Sequence, residues 1–163
     1  MGDGPIREEL EKLAIRIVGC DSVYSNKSAI HTIGTKRVIF TGMIQNEHKV
    51  ALYYSQSDVF VSASESETFG FTVAESMACG TPAVVVRAGA FPLVYEGILD
   101  DMFKPHDSEG MCGRIMKICE GVNVDQKRML ARKLGEMYGV SDCVDDFIAT
   151  YRKLVKNERI DSD

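Results

Sequence analysis

A chain of 163 residues, 45% hydrophobic and 26% charged, can bury roughly two-thirds of its unfolded surface as one domain, which argues against intrinsic disorder. Its net charge of −5 gives no electrostatic reason to expect nucleic acid. Five cysteines (Cys20, Cys79, Cys112, Cys119, Cys143) are an odd number with no Cys-x-x-Cys pair, which argues against both a disulfide framework and a metal site.

The first residues read as a helix. Pro5 suits a first helical position, Ile6, Leu10, Leu13, Ala14 and Ile17 recur at helical spacing, and Gly19 closes the run. Residues 20 to 36 show no period and read as loop. Arg37-Val38-Ile39-Phe40-Thr41, ended by Gly42, reads as a buried parallel strand. Asn46 can cap a helix running through Gln56, with Val50, Leu52 and Tyr53 among its apolar residues. A strand at 59 to 62, a polar loop, a helix at 70 to 79 and a strand at 83 to 86 follow. Past Arg87 the chain turns through Gly89 and Pro92, with a weak extended segment near Met102-Phe103. Three helices close the chain, near 108 to 120, 125 to 138 and 142 to 157. Ser141 is the expected cap of the last, and Phe147, Ile148, Tyr151, Leu154 and Val155 form its apolar stripe.

Strands alternating with helices predict an α/β fold, a parallel sheet with helices on both faces joined by right-handed crossovers. Ligands on such sheets gather outside the carboxyl ends of the strands. The most informative stretch sits at such an end, from Ser64 to Pro82, after Val59-Phe60-Val61 and before Ala83-Val84-Val85-Val86. Two carboxylates, Glu67 and Glu75, have seven residues between them, including the Phe69-Gly70-Phe71-Thr72 turn. A helix N-terminus facing a loop at the end of a buried strand offers N–H groups to an anion. Flanking acids then accept from the hydroxyls of a sugar. Glutamate pairs at this spacing are common on surfaces. The strand before this one, the Phe-Gly turn within it and Gly80-Thr81-Pro82 after it make it a candidate site.

Glu67-Thr68-Phe69-Gly70-Phe71-Thr72-Val73-Ala74-Glu75 resembles the donor-site signature of retaining family 4 glycosyltransferases of the GT-B fold. The likeness runs from Phe40-Thr41-Gly42-Met43-Ile44 to Arg87-Ala88-Gly89-Ala90-Phe91-Pro92 and spans most of residues 1 to 157, the tail helices matching in pattern only. The Ser64-Glu65-Ser66-Glu67-Thr68 loop and the Arg87-Ala88-Gly89 turn are similar to those of plant and algal sulfoquinovosyltransferases. The resemblance implies a Rossmann-like, incomplete GT-B C-terminal domain over residues 1 to 163, its closing helices beginning near 108. It implies a UDP-sugar donor, retaining hexosyl transfer and, as a refinement, transfer of sulfoquinovose to diacylglycerol.

On that reading Gly70 lets the backbone approach the diphosphate, and the amides of Phe71, Thr72 and Val73, with the Thr72 hydroxyl, bind it. Phe69 belongs to the same donor-binding turn. Glu75, acceptor-only when ionised, suits the ribose cis-diol. The resemblance assigns Glu67 to the donor sugar, orienting its hydroxyls and stabilising developing positive charge at the anomeric carbon. It assigns Met43 and Ile44 to the base. It implies no metal and no cofactor, the nucleotide-sugar being a substrate.

Other polar residues read more plainly. Glu65 is a solvated loop acid that can replace Glu67 if the loop shifts, and His31, His48 and His106 have no supporting neighbours. Arg87 is a basic candidate that an ion pair explains equally well. The five cysteines and eight methionines read as packing residues. Late basic residues, from Lys127 to Arg159, read as solvated helix faces or as a peripheral membrane contact. No run reaches the roughly 18 apolar residues of a membrane span, and no signal peptide is recognisable, so the chain reads as cytoplasmic or facing the cytosolic or stromal side of a membrane.

Family members also carry an N-terminal acceptor domain and an upstream Arg and Lys, none of which this sequence matches. Three arrangements fit: a fragment of a longer transferase, one subunit of a split transferase whose partner chain supplies the acceptor domain, or a non-catalytic nucleotide-binding or interaction module. The isolated chain is expected to turn over little or nothing.

Overall fold

The computed structural model describes residues 5–18, 22–25, 28–33, 36–97, 99, 102–121, 124–136 and 139–155. They fall into two compact units, Met1–Val50 and Ala51–Asp163.

In the first unit, α1 (Arg7–Val18) lies against a three-stranded antiparallel sheet in the order β1 (Ser22–Ser25), β2 (Ser28–Ile33), β3 (Lys36–Phe40). An Arg7–Glu11 ion pair of 2.7 Å, four residues apart, supports the helix, and Ala14 is buried. Two sequence expectations fail here. Residues 20 to 36 contain two strands, and β3 is antiparallel to β2, with Ile30 opposite Ile39 and both Val38 and Ile39 exposed. The pairings Ser25 with Ser28 and Ile33 with Lys36 leave two residues in each connection, Asn26-Lys27 and Gly34-Thr35. Short connections favour a local hairpin over a distant parallel partner. Gly19 and Cys20 lie outside the described residues.

Helix α2 (Glu47–Gln56) starts as expected, Asn46 Oδ1 accepting from the Lys49 N–H at 3.0 Å. Of its apolar residues, Leu52 and Tyr53 are exposed and Tyr54 is buried.

The second unit carries the parallel sheet, in the order β4 (Phe60–Ser62), β5 (Ala83–Val86), β6 (Met102–Phe103). Val61 pairs with Val84, and Val85 with Met102. The central strand β5 is buried along its whole length, which is why it reads as an unbroken valine run and not as an alternation. Helices α3 (Phe71–Ala78) and α5 (Ser108–Cys119) flank this sheet, and Val73, Met77, Phe91, Tyr95 and Ile118 fill the core beside β5. Asp107 caps α5, accepting from the Gly110 N–H at 2.8 Å.

Helix α6 (Val124–Glu136) packs on α3 closely enough that a Cβ on Gly135 would enter the Met77–Ala78 backbone. Its Arg128 donates to the carbonyls of Ser55 and Ser57 at 3.2 and 2.9 Å and closes the last turn of α2. The segment expected to turn through Pro92 forms a short helix, α4 (Phe91–Tyr95), with Pro92 in its first turn, where a missing N–H costs nothing. Helix α7 (Val140–Val155) starts one residue before the expected cap Ser141, the Cys143 N–H donating to the Gly139 carbonyl at 3.2 Å. Its apolar stripe is present and exposed. Cys112, Cys119 and Cys143 are exposed and Cys79 is half-buried, so the first three are not packing residues. Among the described residues no helix is long and apolar enough to cross a membrane.

Candidate functional site

The loop leaving β4 reaches Gly70, whose φ of 84° is open to glycine and strained for other residues. A Cβ there would also strike the ring of Phe91. The Gly70 carbonyl accepts from the Val73 N–H at 2.9 Å and from the buried Tyr95 hydroxyl at 3.2 Å. Core and helix therefore fix the entry angle of α3 between them. Phe71 and Thr72 follow as exposed first-turn residues whose N–H groups precede any intrahelical acceptor. Val73 differs: its amide is engaged by Gly70 and its side chain is wholly buried, so it seats the helix and does not face a ligand. Phe69 stacks obliquely on Phe71 with ring centroids 4.8 Å apart, leaving Phe71 70% exposed.

The half-buried Glu67 belongs to a loop held by the turn after β5. Its carbonyl accepts from the Ala90 N–H at 3.0 Å, and Gly89, at φ 57°, fits so closely that a Cβ would lie 3.0 Å from Glu67 N and Glu65 O. The acidic loop and the Arg-Ala-Gly turn, noted separately in the sequence, are thus in contact. Arg87 itself pairs with Glu96 at 3.2 Å, as an ion pair between exposed groups. His106, at φ 59°, approaches Glu65 to 3.6 Å, a neighbour its sequence position did not reveal.

Glu75 lies one turn into α3 and is exposed, but it is not alone. Tyr54 Oη donates to its Oε2 at 3.3 Å. Tyr54 is 5% exposed and stands edge-on to Phe60 with centroids 5.6 Å apart. Burial, then the Glu75 charge and this hydrogen bond, push its phenol up to about 12. The apolar residues expected on this helix from the sequence included Tyr53 and not Tyr54. Tyr54 is the site-adjacent residue missed there, and no local spacing joins two residues 21 positions apart.

The second unit therefore carries Glu67, Phe69, Gly70, Phe71, Thr72, Val73 and Glu75 in one loop–helix segment at the carboxyl end of β4. Met43, 68% exposed, and Ile44, half-buried, follow β3 in the first unit, after a buried Gly42 at φ 66°.

Comparison with known proteins identifies the family. The family described as glycosyl transferases group 1 matches residues 4–120. The sulfoquinovosyl transferase of Arabidopsis thaliana is 36% identical over 113 residues, covering 67% of this chain and 18% of that protein. The alpha-monoglucosyldiacylglycerol synthase of Streptococcus pneumoniae is 34% identical over 138 residues, covering 83% of this chain and 27% of that protein. The sucrose-phosphate synthase of Thermosynechococcus elongatus, a solved structure, superposes with a TM-score of 0.70 at 23% identity, covering 97% of this chain and 36% of its own. That last likeness speaks to the fold. The chain spans about a fifth to a quarter of the length of these two curated relatives. With the family matching from before α1 to the end of α5, and the Glu67–Glu75 segment within that span, the chain belongs to the group 1 glycosyltransferases.

Proposed function

We propose that this chain is the donor-binding part of a retaining glycosyltransferase that takes a UDP-sugar. The observation that carries the reading is the locked Gly70 carbonyl. Tied to the Val73 N–H and Tyr95 hydroxyl, it fixes a helix whose first exposed residues are Phe71 and Thr72, with one glutamate before the turn and one after.

The Phe71 and Thr72 amides and the Thr72 hydroxyl bind the diphosphate at the positive end of α3. As the bond from the anomeric carbon to the leaving oxygen breaks, charge grows on that phosphate, where fixed donors stabilise it most. Glu75 accepts from the ribose diol. Glu67 orients the hexose hydroxyls and offsets positive charge at the anomeric carbon. Attack comes from the face the nucleotide leaves, the departing phosphate taking the acceptor's proton, so configuration is retained and no enzyme nucleophile is required. No metal or cofactor enters this reading.

Two curated relatives are by name a sulfoquinovosyl transferase and a glucosyldiacylglycerol synthase, which supports a glycolipid product. We take sulfoquinovosyl transfer to diacylglycerol, at the cytosolic or stromal face of a membrane, as the specific form. The acceptor half lies in the remainder of a longer polypeptide or in a partner chain, and the 163-residue chain alone binds donor without sustained transfer.

Calorimetric titration with UDP, GDP, UDP-glucose and UDP-sulfoquinovose tests this. Saturable UDP binding that weakens at least roughly tenfold in Glu75→Ala is the expected result, the loss of charge-assisted hydrogen bonds. Equal binding of every nucleotide, untouched by the substitution, sinks the ribose and base assignments together. A GDP preference replaces the donor and leaves the site standing.

A further inference from the structure

The carboxylate of Glu75 is restrained from the core side. Tyr54 is almost wholly buried, yet its hydroxyl does not point into an apolar void: it donates to Glu75 Oε2 at 3.3 Å. Both ends of this tyrosine are fixed. Its ring stands edge-on to Phe60 of β4, and its carbonyl accepts from the buried hydroxyl of Thr81, just before β5. The phenol is thus attached to the sheet that defines the site.

An exposed glutamate left to itself samples several rotamers, and binding a ligand must then freeze them. A glutamate with one oxygen tied to an immobile phenol has lost much of that freedom already, and its Oε1 keeps its acceptor sites for a ligand. Tyr54 stays a neutral donor through the physiological range, because burial and the adjacent carboxylate both oppose its ionisation.

We propose that Tyr54 is a positioning residue for Glu75, holding its carboxylate in the direction from which it accepts the two hydroxyls of a nucleotide ribose. This rests on the ribose assignment made above. Tyr54 touches no substrate and acts only through the carboxylate. Tyr54→Phe removes the one oxygen at issue and keeps the ring against Phe60.

The 163-residue chain, as wild type, Tyr54→Phe, Glu75→Gln and the double variant, is titrated with UDP and with 2′,3′-dideoxy-UDP. A fold defect would weaken both ligands equally, so the ratio of the two affinities is the readout. Tyr54→Phe is expected to weaken UDP roughly 3- to 10-fold, the worth of one hydrogen bond to a charged group, and to leave the dideoxy nucleotide unchanged. In the Glu75→Gln background the same substitution is expected to add nothing. A ratio that collapses in Glu75→Gln but stays at the wild-type value in Tyr54→Phe overturns the positioning role and leaves the ribose assignment intact. A ratio unmoved by Glu75→Gln overturns the ribose assignment and this inference with it.

Should Tyr54→Phe not fold, the tyrosine titration of the wild type and Glu75→Gln decides. The Tyr54 titration, followed through its own assigned ring NMR signal, is expected to move to lower pH when the Glu75 charge is removed. An unmoved titration means that the phenol and the carboxylate are not coupled, and the inference falls.

Discussion

The Ala90 N–H donates to the Glu67 carbonyl at 3.0 Å, joining the turn after β5 to the acidic loop after β4. The two strands pair in parallel, so the segments leaving their carboxyl ends lie side by side, and this bond fixes one against the other. The backbone of Glu67 is thereby held, while its side chain stays half-buried.

Gly89 makes that approach possible. At its φ of 57°, with the oxygens of Glu65 and Glu67 3.0 and 3.1 Å from where a Cβ would sit, a side chain is strained and its backbone neighbours would have to give by a few tenths of an ångström. Gly89→Ala is expected to cost roughly 1 to 3 kcal/mol and to displace the acidic loop. Gly97→Ala serves as the comparison: its φ is 77°, but nothing lies within 4 Å. It should show only the left-handed backbone cost of about 1 kcal/mol. Equal denaturation midpoints for the two variants would mean that the loop contact has no energetic weight.

Gly135 occupies the closest point between α6 and α3, where a Cβ would meet the backbone of Met77 and Ala78. Backbone cannot swing aside as a side chain can, so Gly135→Ala must separate the helices. A loss of about 1 to 3 kcal/mol is expected in urea denaturation. Gly113 of α5 has nothing within 4 Å, and the same substitution there should stabilise the helix by roughly 0.5 to 1 kcal/mol. Opposite signs at two helical glycines separate packing from propensity. The same sign at both would refute the close α3–α6 contact.

The elements read correctly from sequence are those whose pattern is set locally. The valine run of β5, the glycines on either side of α3 and the Asn46 cap each announce themselves within a few residues. Helix α4 is only five residues long, and its Gly-x-x-Pro approach looks like a turn until Phe91 and Tyr95 are seen in the core. β1 and β2 are rich in serine, histidine and threonine, and their strand character depends on the partner across each short connection. The candidate site divides in the same way. The order glutamate, glycine turn, helix, glutamate was legible. The links from Tyr54 to Glu75 and from Ala90 to Glu67 join distant segments, and only the folded chain brings them together. Two adjacent tyrosines on α2 gave no local reason to prefer Tyr54 over Tyr53 as the buried one.

Thiol reactivity should separate the cysteines by burial. Cys112, Cys119 and Cys143 are exposed, whereas Cys79 is half-buried at the end of α3. Burial pushes the Cys79 thiol up, Arg132 pulls it down, and Glu75 adds to the rise. The thiolate is the reactive form, so iodoacetamide at pH 8 is expected to alkylate Cys79 after the other three. Peptide mapping over a time course reads the order, and early labelling of Cys79 would contradict its placement. Arg132→Gln removes the one lowering influence and should slow Cys79 further.

The Tyr54 phenol gives the fold a stability that depends on alkaline pH. Its folded value of about 12 lies above the ordinary tyrosine value of 10.0, raised first by burial and then by the Glu75 charge and hydrogen bond. The native state therefore holds this proton more tightly than the unfolded chain does. That contribution is complete below pH 10 and declines as pH rises toward 12, because the unfolded phenol ionises first. The test is a difference between variants, in which every other ionisation is held in common. Wild type should lose stability more steeply than Tyr54→Phe between pH 9.5 and 11.5, a window chosen to bracket that titration. Glu75→Gln removes the charge but not the burial and should fall between them. Parallel profiles for wild type and Tyr54→Phe would show that the phenol ionises as freely in the folded protein as in the unfolded chain, which its burial against Phe60 does not allow.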